Sequence, residues 1–135
     1  HVRSRRQRQM CIRDSPKRDR YAIGEKTQTE LVGRPVAGRT YDFAPVIGVF
    51  LKEHLFGDIF ERDILNRQER ELATVGALAG IGNVNAQLTS HMRVSMNTGI
   101  SAEQLQETVR LLDKKAGPAT GSNAQRVLDS LLLQK

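Results

Sequence analysis

The sequence predicts an all-α fold, and three observations carry that prediction. No segment alternates apolar and polar residues with period two over a useful length. Several stretches instead open on helix-capping residues and close on glycine, with apolar residues three and four apart between them. Finally, once the first 15 residues are set aside for the reason given below, about 120 remain, enough for one domain with a modest core. The expected architecture is a compact, oligomeric helical domain of about five to six helices over residues 16–135.

Composition separates the first stretch from the rest. Arg5–Ser15, "RRQRQMCIRDS", holds the single cysteine, Cys11, and four arginines, which reads at first as a basic arm for nucleic acid. Translated back to codons, it resembles the transposase-end adapter ligated to fragments in shotgun (metagenomic) sequencing, and His1 fits the end of the adjoining primer. Residues 1–15 are therefore read as a non-native, adapter-derived segment, expected to be disordered and excluded from fold reasoning. The protein's own N-terminus, with any signal peptide, is then expected upstream of Pro16. Without this segment, 21 basic and 15 acidic side chains become 16 and 14, and the formal net charge falls from +6 to +2.

That change removes the main support for a nucleic-acid partner. With no tryptophan and few aromatics, a platform for stacking bases is also missing. Thiol chemistry and cysteine-based zinc sites leave with Cys11. No run approaches the roughly 18 apolar residues of a membrane span. The expected location is the cytoplasm, with no membrane partner.

Taken in order, the polar stretch "RDRYAIGEKTQTEL" predicts one short helix with Tyr21 as its main apolar anchor. Gly33, Pro35 and Gly38 lie within six residues, so "VGRPVAGRTYD" reads as a loop. "FAPVIGVFLKEHLFGDIFER" contains all four phenylalanines and reads as one helix from Phe43 to Phe60. Its apolar residues exceed the stripe a surface helix needs, which predicts burial on several sides or sharing with another subunit. Asn66 with Glu69 forms a capping box opening "RQERELATVGALAGI", which stops at Gly82. "VNAQLTSHMRVSMNT" is closed by Gly99 beyond its end. Ser101 with Gln104 opens "AEQLQETVRLLDKKA", which ends on Lys114 and Lys115 against the helix dipole and then Gly117-Pro118. "SNAQRVLDSLLL" places Ala124, Val127, Leu128 and Leu131 on one face. The cluster Gly76, Ala77, Ala79 and Gly80 reads as close helix packing, since it lies inside a helix and lacks the lysine of a phosphate loop.

"FGDIFER", "RELATVGALAGIG" and "AQLTSHMRVSMNTGIS" follow one another between Phe56 and Ser101. In that order they resemble the carboxymuconolactone decarboxylase family, over roughly residues 40 to 130. The resemblance implies an all-helical subunit of alkylhydroperoxidase-like fold, forming homotrimers or hexamers with sites near subunit contacts. It also implies a small-molecule substrate and no cofactor. The thiol-dependent branch of the family carries cysteines seven and four residues before its histidine. Here Val84 and Gln87 stand at those positions before His91, so the decarboxylase-like branch is the closer match.

Glu71 and His91 are the candidate catalytic residues. Glu71 shares a helix face with Val75 and Leu78, apolar neighbours that would raise its pKa. His91 shares a face with Gln87, Leu88, Val94 and Ser95. A histidine titrating near neutrality beside such a carboxyl is the pairing general acid-base chemistry uses. The competing structural readings are a dipole-compensating surface charge for Glu71 and a hydrogen-bonded core or interface residue for His91. Gln87, His54 and Arg70 are the candidate substrate-binding residues. Gln87 would reach a lactone carbonyl, His54 would line the pocket across a subunit contact, and Arg70 would fork onto a carboxylate, as would Arg93. Solvent-exposed roles compete for each. Two histidines far apart in sequence make a poor metal set, so no metal is expected.

Three functions fit. One is a cofactor-free lyase acting on a small carboxylated lactone or related metabolite. The second is a non-catalytic helical oligomer that binds a small molecule. A thiol peroxidase would need cysteines that the native part lacks.

Overall fold

The computed structural model describes residues 19–134. The adapter reading of residues 1–15 lies outside them. Among the described residues the chain is all-helical, as the sequence predicts, with seven α-helices and one π-helix. They fall into two compact units, divided after Ile64.

The N-terminal unit contains α1 (Arg20–Val32), α2 (Arg39–Phe43), α3 (Pro45–Phe50) and a π-helical continuation, Leu51–Ile59. Asp19 caps α1 by accepting from the Ala22 N–H at 3.0 Å, and Gly33, at φ 80°, ends it by donating to Thr29 O. The buried stripe of α1 is Gly24, Thr27, Gln28 and Leu31, small and polar except for its last member. It packs through backbone. A Cβ on Gly24 would stand 1.7 Å from the Lys52 carbonyl oxygen, and one on Gly57 2.4 Å from Arg20 O. Only glycine permits that approach.

Three sequence expectations need correction in this unit. The stretch read as a loop is already helical from Arg39, where α2 begins. Tyr21 is not the apolar anchor of α1. It is 36% exposed, its hydroxyl accepts from Lys52 Nζ at 3.0 Å, and Leu31 takes the buried place. Nor is Phe43–Phe60 one helix. Ala44, pushed out of helical geometry by the following proline, sits at φ −136° and ψ 75°, and Pro45 starts a new helix where its missing N–H costs nothing. From Leu51 the bonds reach back five residues, as in Phe60 N–H to Leu55 O at 3.0 Å. Within the chain this segment is not buried on several sides either. Its only fully buried residues are Gly48 and Gly57, while Phe43 is 92% exposed, Val46 72% and Phe50 61%.

The C-terminal unit follows its local signals closely. It comprises α4 (Arg67–Ile81), α5 (Asn85–Asn97), α6 (Ala102–Ala116) and α7 (Pro118–Leu133). Both capping boxes form: Asn66 with Glu69, and Ser101 with Gln104. Gly82, Gly99 and Gly117 take the positive φ values that the reversals after α4, α5 and α6 require. One boundary differs. Helix α7 starts at Pro118, four residues before the predicted Ser122, because proline is favoured in a first turn and Gly121 lies against Asp113 where any side chain would clash. Val75, Ala79, Leu88, Met92, Ile100, Leu105, Val109, Ala124, Val127, Leu128 and Leu131 form one apolar core between the four helices. At roughly 1.5–3 kcal/mol for each large side chain removed from water, this core dominates the unit's stability.

Candidate active site

Helices α4 and α5 pack antiparallel, and their register follows from two contacts: Gln68 Nε2 donates to Thr98 O at 2.8 Å, and Glu71 meets His91. Glu71 belongs to the buried stripe of α4 with Val75 and Ala79, spaced by four. On α5 the buried stripe is Leu88, Met92 and Ser95, so His91 lies at its edge. One residue thus projects from the core and the other from the core's margin.

Their side chains converge. His91 Nδ1 and Glu71 Oε2 are 2.8 Å apart, the carboxylate side chain 2% exposed and the imidazole 38%. A buried carboxylate is costly without a partner, and the imidazole supplies one. This burial rules out Glu71 as a solvated dipole-compensating charge. With Glu71 ionised, Nδ1–H donates to Oε2, which fixes the tautomer and leaves Nε2 as the nitrogen that can exchange a proton with another molecule. Among the described residues neither side chain hydrogen-bonds to any other group.

Helix α5 is braced just beyond the histidine. Ser95, fully buried, donates its hydroxyl to His91 O at 2.8 Å, and Thr98 Oγ1 donates to Ser95 O at 2.7 Å. The sequence put Ser95 on the histidine's face without giving it a role; four-residue spacing to the histidine was the available signal.

The other candidates are placed differently. Gln87 is exposed one turn before His91, with no hydrogen bond to the pair. Arg70, half-buried, precedes Glu71, and its carbonyl accepts from Thr74 Oγ1. Arg93 Nη2 donates to Gln134 Oε1 at 2.9 Å rather than pairing with an acid. His54 belongs to the N-terminal unit. Its Nδ1 is 3.6 Å from Asp58 Oδ2, which also accepts from Arg20, and its ring lies against Phe50.

Sequence reasoning missed a second polar cluster, also in the N-terminal unit. Lys52 Nζ lies 2.6 Å from Glu25 Oε1, donates to Tyr21 OH and sits over the Tyr21 ring at 4.7 Å, with its side chain only 14% exposed. The hydrogen bond to Glu25, followed by that to Tyr21, raises the Lys52 pKa above its ordinary value. These partners are separated by some thirty positions, a tertiary juxtaposition with no local signature. Among the described residues no group of three or more His, Cys, Asp or Glu side chains could hold a metal ion, and no helix is long and apolar enough to cross a membrane.

Comparison with known proteins places the chain in a family. The chain is 25% identical over 116 residues to a 4-carboxymuconolactone decarboxylase of Acinetobacter baylyi, an alignment spanning 83% of this chain and 86% of that protein. Residues 47–127, which include both Glu71 and His91, match the carboxymuconolactone decarboxylase family. With its all-helical fold and a match across more than half its length, the chain belongs to the carboxymuconolactone decarboxylase family.

Proposed function

We propose that this protein is a lyase that decarboxylates a small carboxylated, unsaturated lactone without a cofactor, using His91 as the proton carrier and Glu71 as the residue that positions it. The observation carrying this reading is the 2.8 Å contact between a buried carboxylate and the Nδ1 of a partly exposed imidazole. The reaction needs a path for electrons and a source of one proton. The C–C bond to the departing carboxylate breaks, its electron pair moves into the conjugated lactone carbonyl, and carbon dioxide leaves. The protonated His91 then delivers the Nε2 proton to a ring carbon of the dienolate and recovers a proton from water. The net change is one carboxylate and one proton converted to one C–H bond and carbon dioxide. Ionised Glu71 stabilises the imidazolium and holds its orientation, the role a buried carboxylate plays on the far nitrogen of a catalytic histidine. Arg70, beside Glu71 on α4, is the proposed handle for the substrate carboxylate, and Gln87 for the lactone carbonyl.

The proposal includes a homotrimer or a hexamer, supported by the apolar surface at Phe43, Val46 and Phe50. The test is carbon dioxide release from a panel of carboxylated unsaturated lactones. His91→Gln is expected to lower turnover by about 10² to 10⁴, the usual share of general acid-base catalysis, in a protein that still folds and keeps its oligomer. A panel with no turnover, or a His91 variant that fails only because it unfolds, would remove the reading.

A further inference from the structure

A site that protonates a carbanion with a single imidazole must also be able to take that proton back. Among the described residues the side chains of Glu71 and His91 hydrogen-bond only to each other, so no second acid or base is wired to the pair. Glu71 Oε2 is occupied by Nδ1 and almost wholly buried, whereas the imidazole is over one-third exposed. With Nδ1 engaged, Nε2 is the ring nitrogen left to exchange a proton with another molecule.

We propose that the same pair catalyses a proton shift on unsaturated γ-lactones that carry no carboxylate, moving the ring double bond and exchanging ring protons with solvent. The inference rests on the reading of His91 as the proton carrier. The chemistry balances without any co-reactant. Neutral Nε2 takes a proton from the carbon beside the lactone carbonyl, and the C–H electron pair enters that carbonyl, in conjugation with the ring double bond, to give a dienolate of the kind decarboxylation would also produce. The imidazolium, held by Glu71, returns a proton either to the same carbon or to the far end of the dienolate. Return to the same carbon gives exchange, and return to the far end gives the conjugated isomer. One base serving both ends requires no movement of the protein, only that the flat dienolate lie across the Nε2 edge. Loss of carbon dioxide and loss of a proton are then two entrances to one intermediate.

The probe is α-angelica lactone, a β,γ-unsaturated γ-lactone without a carboxylate, incubated with the purified full chain in deuterated buffer and followed by proton NMR. A matched concentration of free imidazole serves as reference. Deuterium is expected at both ends of the former dienolate, with the conjugated isomer accumulating, at a rate at least about 10²-fold above free imidazole. His91→Gln should return the rate to background, and Glu71→Gln should lower it while leaving some activity. Exchange that survives in a folded His91→Gln protein overturns the inference. Decarboxylation without exchange also overturns it, since another group would then protonate the dienolate, but leaves the lyase reading intact. Exchange without decarboxylation of any panel lactone upholds the proton shift and removes the lyase. Absence of both removes both.

Discussion

The two units of this chain use apolar residues in opposite ways. In the C-terminal unit they are spaced along four helices, two of them opened by capping boxes, so that eleven meet in one core. In the N-terminal unit the helices meet through glycine and backbone, the buried stripe of α1 is mostly polar or small, and Phe43, Val46 and Phe50 face outward. The Glu71–His91 pair stands on the unit with the apolar core, where packing on both helices fixes the two side chains. The difference teaches that apolar content does not tell where a core lies. What decides is whether the apolar residues share a face that another element covers.

The largest expected effect is on the core itself. Leu105 is fully buried among the residues joining α4, α6 and α7. Leu105→Ala should destabilise the protein by about 2–5 kcal/mol, measured by chemical denaturation, through lost transfer energy and the cavity left behind. A loss under about 1 kcal/mol would mean that this unit is no better packed than the other.

A smaller effect, opposite in sign between the units, comes from one and the same substitution. Gly24→Ala puts a methyl into the Lys52 carbonyl, a backbone atom that cannot swing away, and should cost about 1–3 kcal/mol. Gly80→Ala, inside α4 with nothing within 4 Å of the new Cβ, should stabilise by about 0.5–1 kcal/mol through helix propensity alone. Thermal melts of the two variants that moved in the same direction would dissolve the contrast.

This contrast also explains what the sequence made legible. The boundaries of α4, α5 and α6 were readable because Asn66, Glu69, Ser101, Gln104, Gly82 and Gly99 act on groups within a few residues of themselves. Glu71 and His91 could be singled out because one lies on the buried stripe of its helix and the other at the edge of such a stripe, both within a family pattern. Their 2.8 Å contact depends on the α4–α5 register, which no local spacing specifies. The break at Ala44 was in principle readable, since a residue before proline resists helical geometry, but the run of apolar residues on both sides masked it. The α1 crossing was not readable. Gly24 and Gly57 are 33 positions apart, and a glycine shows only that close approach is allowed, not what approaches.

The smallest expected change in chain stability falls on the outward phenylalanines, and there it separates the chain from its assembly. Phe43 and Phe50 are mostly exposed, so replacing both by serine removes little buried surface from the subunit. Substitutions of that kind ordinarily shift stability by no more than about 0.5 kcal/mol. In the proposed oligomer the same rings would be covered, and each would contribute roughly 1.5–3 kcal/mol of apolar burial to association. The Phe43→Ser/Phe50→Ser double variant should therefore unfold at a midpoint independent of protein concentration, while the wild type becomes more stable as concentration rises, because association draws on the folded form alone. Sedimentation should show a trimer or hexamer for the wild type and lighter species for the variant. A wild type that stays monomeric at micromolar concentration ends the oligomer proposal. A variant that assembles as the wild type does would move the interface away from these rings and leave the apolar face of the N-terminal unit for a different partner.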